Sequence, residues 1–93
     1  MVGSGSRREV RALERLVRSL CAEVELVAER NLPNDRRCAC HETALQIEAF
    51  EERRREALAA LQPRDEPAMF RIGRLKRVAE ALSCSRDFFR SAV

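Results

Sequence analysis

Between Arg7 and Arg30 the apolar residues Val10, Leu13, Val17, Leu20, Val24 and Val27 recur at alternating steps of three and four, in a stretch without glycine or proline. That is the spacing of a heptad seam, a single apolar stripe along a helix. Leu16 and Cys21 flank the seam and widen it to what a core-facing bundle helix needs. The run ends at Asn31-Leu32-Pro33-Asn34-Asp35. There Asn31 suits a left-handed cap, Pro33 cannot continue a helix, and Asn34 or Asp35 can cap the next one.

A second helix is predicted from about Arg36 to Leu61, with Cys40, Thr43, Ala44, Ile47, Phe50, Ala57, Leu58 and Leu61 on one face and Glu51 and Arg54 interrupting it. Gln62 to Pro67 forms a turn in which Asp65 is the expected N-cap and Pro67 is tolerated in the first turn. A third helix, roughly Glu66 to Leu82, buries Ile72, Leu75, Val78, Ala79 and Leu82. Ser83-Cys84-Ser85 breaks or bends it, leaving Arg86 to Ala92 for a short fourth helix that packs Phe88 or Phe89. No strand pattern is present. The expected fold is therefore all-α: an antiparallel hairpin of two long helices closed by a third, a helical bundle in one domain spanning residues 7–93. Met1 to Ser6 reads Met-Val-Gly-Ser-Gly-Ser, a flexible leader or cloning remnant set apart from the fold.

At 93 residues the chain can build one modest core, and its stability is marginal without a partner. Composition agrees with helix, being rich in Ala, Leu, Glu and Arg, and the absence of Trp and Tyr argues against base stacking or an aromatic cage. Charge changes the picture more. The first helix is basic early (Arg7, Arg8, Arg11, Arg15, Arg18) and acidic late (Glu23, Glu25, Glu29), which opposes its own macrodipole. Folding the second helix back is expected to set Arg36 and Arg37 beside the acidic end and Glu48, Glu51, Glu52 and Glu56 beside the basic end. The net charge of +3 resides in the last third, where residues 63–93 carry seven basic and four acidic side chains.

Candidate chemistry is sparse. Cys38-Ala39-Cys40-His41 offers zinc-type donors, but the two thiols diverge by about 200° on a helix and no second pair stands at the usual interval. No metal, no cofactor and no small-molecule substrate is expected, and no nucleophile, base and orienting group are set up for catalysis. The four cysteines read as free thiols. No run of eighteen apolar residues and no signal-peptide pattern occurs, so the expected location is intracellular, in cytoplasm or nucleus. Arg71, Arg74, Lys76 and Arg77 form the longest basic run without an intervening acid, and would serve a nucleic-acid-binding domain.

The apolar residues that a three-helix core leaves unexplained carry the main expectation. Helix two, at about 39 Å, is longer than the third helix, at about 25 Å, so part of the hairpin lacks cover. Leu26 lies on the far side of helix one from the seam, Cys38, Leu45 and Ala49 on the far side of helix two, and with Leu32 they converge near the hairpin tip. The chain is therefore expected to be an interaction or oligomerisation module. It would complete its bundle with a protein partner or a second copy through Leu13, Leu16, Leu20, Val24, Leu26, Val27, Leu32 and Leu45.

Overall fold

The computed structural model describes residues 2–31 and 41–91, and side chains from Arg7 to Arg30 and from Thr43 to Ser91. Three helices account for nearly all of it: α1 (Val2–Asn31), α2 (His41–Leu61) and α3 (Ala68–Ser91). The backbone helix of α1 begins at Val2, so it takes in five of the six residues set apart as a leader.

The heptad seam of α1 forms as its spacing predicts. Val17, Leu20 and Val24 are buried, and Val10, Leu13 and Val27 pack against the same core. The surface they meet belongs chiefly to α3, through Leu75, Val78, Ala79, Leu82 and Phe89, while α2 contributes Phe50 and the small residues Ala57 and Ala60. Helix α3 packs closely along α1 and also against α2, whereas α1 and α2 touch little.

Ion pairs fix the directions. Glu9 and Glu14 near the start of α1 meet Lys76 (3.4 Å) and Arg71 (3.6 Å) near the start of α3. Glu23 meets Arg86 (3.7 Å) and Arg90 near its end, so the two helices run parallel. Glu25 on Arg54 (2.8 Å) sets α2 antiparallel to α1, and the contacts of Arg53 with Ser85 and of Phe50 with Phe89 set it antiparallel to α3. The result is an up-down-up three-helix bundle, 54 Å along its longest axis.

Several expectations change, and α3, at 24 residues, is longer than the described α2, at 21, so the expected shortfall of cover by a short third helix is not found. First, α3 does not break at Ser83-Cys84-Ser85 and no separate fourth helix follows; one helix of 24 residues runs to Ser91. Ser and Cys cost a helix only tenths of a kcal/mol each. Against that, the continuous helix buries Ser85 and Phe89 on the same face as Leu75, Val78 and Leu82, and Arg53 donates from Nη1 to Ser85 Oγ at 2.7 Å.

Second, the inner face of α2 is rotated from the expected one. Ala44 and Leu58 are exposed, Ala60 is buried, and Arg53 takes the seam position between Phe50 and Ala57. Its guanidinium is accepted there because Ser85 supplies a polar partner inside the interface.

Third, Glu48, Glu51, Glu52 and Glu56 do not reach the basic end of α1. The contact of Arg54 with Glu25 places that stretch of α2 level with the last two turns of α1. The contacts of α2 with α3, Arg53 on Ser85 and Phe50 on Phe89, hold the same register. The counterions of Glu23 come from α3 instead, as Arg86 and Arg90. Arg36, Arg37 and the caps expected at Asn34 or Asp35 lie outside the described residues.

The α2–α3 junction is built differently from the expected Asp65 cap. The carbonyl of Pro67 accepts from the amides of Phe70 (3.1 Å) and Arg71 (3.3 Å), so Pro67 holds the cap position and Asp65 is exposed. α2 has no basic residue in its last turn. Arg71 of α3 supplies that charge from outside the helix, donating to the carbonyl oxygens of Gln62 (3.0 Å) and Leu61 (3.2 Å). These are orphan acceptors at a helix C-terminus, where a cation also complements the macrodipole.

Candidate functional site

The residues expected to carry a partner divide by burial. Leu20 (3% exposed) and Val24 (0%) lie in the bundle's own core, and Leu13 and Val27 are half-buried against it, so these four hold the chain together. Leu16, Leu26 and Leu45 remain about half exposed. Leu32 lies outside the described residues, as do Cys38 and Cys40 and the side chain of His41. The half of the seam that a coiled-coil partner would use is thus taken up by α3.

Three further apolar side chains, not among those expected, are exposed: Leu58 at 50%, Met69 at 72% and Phe70 at 62%. Met69 and Phe70 are neighbours in the first turn of α3, beyond the seam that begins at Leu75. Their step from Leu75 is six and five residues, off the three-and-four rhythm, and that mismatch is legible in the sequence. Leu58 lines an open groove of about 680 Å³ with Leu61, Glu14, Arg18, Arg64 and Arg71, where the middle of α1, the end of α2 and the start of α3 meet.

The basic run of α3 is largely committed within the chain. Arg71 caps α2 and faces Glu14, Arg74 Nη2 lies 2.5 Å from Glu66 Oε2, and Lys76 pairs with Glu9. Of the four, Arg77 alone makes no ion pair or hydrogen bond with a described residue. By contrast Arg7, Arg8, Arg11, Arg15 and Arg18 on α1 are all exposed and none pairs with a described carboxylate.

Among the described residues no three metal-ligating side chains come together. Cys21 and Cys84 are free thiols, half-buried and exposed respectively. Burial pushes the Cys21 thiol above its ordinary value; Arg54 pulls it down and Glu25 adds to the rise. The chemistry on display is therefore apolar contact and charge, carried on rigid helices. No described helix is long and apolar enough to cross a membrane. No family model matches the chain, and neither a curated protein nor a solved structure is similar to it.

Proposed function

We propose that the chain is a protein–protein interaction module, a helical bundle that extends its apolar packing onto another chain, a second copy or a different protein. Its role is binding and it performs no catalysis. The observation that supports this is the set of large apolar side chains left over once the core is filled. Leu16, Leu26, Leu45, Leu58, Met69 and Phe70 are all at least 46% exposed, on all three helices of a 93-residue chain. Single exposed leucines are ordinary, but adjacent residues such as Met69 and Phe70, in a chain whose own core is small, mark a contact surface. Burying each such side chain against a partner contributes about 1.5–3 kcal/mol, so a few of them decide association.

The other expectation, a nucleic-acid face on Arg71, Arg74, Lys76 and Arg77, has less to support it, because three of these four cations are engaged within the chain.

The test is a panel of Leu26→Glu, Leu45→Glu and Phe70→Glu, read by sedimentation velocity and by capture of partners from lysate. Each variant should keep the wild-type circular dichroism, since these side chains face solvent, and should lose the self-association or the partner that the wild type shows. A wild-type chain that is monomeric at every accessible concentration, with captured proteins unaffected by any of the three, overturns the proposal.

A further inference from the structure

The five arginines in the first half of α1 are the largest charge feature without a partner among the described residues. At 100° per residue, Arg7, Arg8, Arg11, Arg15 and Arg18 fall within an arc of about 100°, opposite the buried seam, and span about 16 Å of helix axis. Every residue of α1 between positions 7 and 18 that falls within this arc is arginine.

These cations stand against the helix they sit on, because neighbours three and four apart repel one another. The glutamates of α2 that would relieve them are level with the opposite end of α1, as the contact of Glu25 with Arg54 shows. All five are exposed and without a carboxylate partner among the described residues. A feature that disfavours the fold and makes no contact inside it is accounted for by something outside it.

We infer that this stripe is a nucleic-acid-backbone-binding face, and that the fitting partner is a duplex. A row of arginines on an open helix face is a poor protein interface, since exposed ion pairs add little and an arginine becomes a hot spot only in a well-packed, desolvated pocket, which this face does not supply. The same row gains from a polyphosphate, because each arginine that neutralises a phosphate releases a condensed counterion. Insertion into a membrane surface needs an apolar face beside the basic one, and the apolar face of α1 is inside the bundle. Single strands are held largely by stacking, and no aromatic residue lies in α1. With its outer face free, α1 can lie along a duplex and contact phosphates over the three turns from Arg7 to Arg18 without unfolding the bundle.

The experiment is fluorescence anisotropy of a labelled 20-base-pair duplex with the 93-residue chain, from 50 to 200 mM salt. Five phosphate contacts predict a log–log salt slope of about −4.5, a loss of roughly 500-fold in affinity over that range. Arg11→Gln, Arg15→Gln and Arg18→Gln together should reduce the slope to about −1.8, a loss of roughly 12-fold, with the thermal midpoint unchanged or raised because mutual repulsion is relieved. Lys76→Gln with Arg77→Gln on α3 should leave the slope at its wild-type value. A triple variant that keeps the wild-type slope, or a slope that falls instead with the α3 pair, overturns the assignment to α1. Failure to bind duplex while binding phosphatidylserine vesicles or poly-glutamate overturns the assignment to nucleic acid in favour of a lipid or acidic-protein partner.

Discussion

Phe89→Ala separates a continuous α3 from one that breaks at Ser83–Ser85. Phe89 is the largest of the fully buried side chains, and its ring meets Phe50 edge-on at 6.1 Å and Phe88 at 5.6 Å. Truncating a fully buried phenylalanine costs about 3–5 kcal/mol, and the loss of two edge-to-face contacts places the effect at the upper end. A domain of this size has roughly 5–14 kcal/mol in all, so the substitution removes a third or more of the total. At about 4–8 °C per kcal/mol it should lower the thermal midpoint by at least about 12 °C. Phe88, half-buried, gives the internal control: Phe88→Ala should cost no more than about 2 kcal/mol. The assay is urea denaturation followed by circular dichroism at 222 nm, since the chain has no Trp or Tyr to report by fluorescence. If the last two turns were a separate, loosely docked helix, Phe89→Ala would cost little and the two variants would resemble each other. A loss below about 1.5 kcal/mol for Phe89→Ala, at an unchanged denaturant slope, refutes the continuous helix packed through Phe89.

Four other outcomes follow from the same structure. Gly73 lies inside α3 at negative φ with no atom within 4 Å of where a Cβ would stand, so Gly73→Ala should stabilise by about 0.5–1 kcal/mol in the same urea titration; destabilisation would show that something packs there. Arg71→Met keeps the apolar stem but removes the donors to the carbonyls of Leu61 and Gln62, and should cost about 1–2 kcal/mol, whereas Arg77→Met should cost nothing measurable. Because burial raises the Cys21 thiol, the fold favours its protonated form. The associated stability is intact below the ordinary value of 9.0 and is lost as pH rises through the higher folded value, so Cys21→Ala should flatten the alkaline decline in thermal midpoint. In a Cys38→Ser, Cys40→Ser background, a disulfide reagent at pH 8 should label exposed Cys84 before Cys21, and equal rates would contradict the burial of Cys21.

The sequence by itself determined the elements that have strong local periodicity and clear punctuation. The seam from Val10 to Val27 is the buried stripe of α1, and Pro63 and Pro67 mark the turn between α2 and α3. It also showed Leu26 and Leu45 standing apart from any core-facing stripe, which their exposure matches.

What only the tertiary structure decided was which helix covers which. A heptad seam states that a partner helix is needed, but carries no label for it, and α3 rather than a hairpin mate or a second chain lies against most of it. The inner face of α2 was illegible because an arginine occupies one of its seam positions, and Arg53 becomes acceptable inside only when Ser85 of a distant helix comes within 2.7 Å. The same holds for the charges. Arg71 reads as one member of a basic run until the fold brings it to the open end of α2, and the arginines of α1 read as compensated until the register of α2 on α3 carries the glutamates past them. Periodicity is local and survives in one dimension; pairing depends on contacts between different helices, ten to nearly seventy residues apart in the chain, and those exist only once the helices have packed.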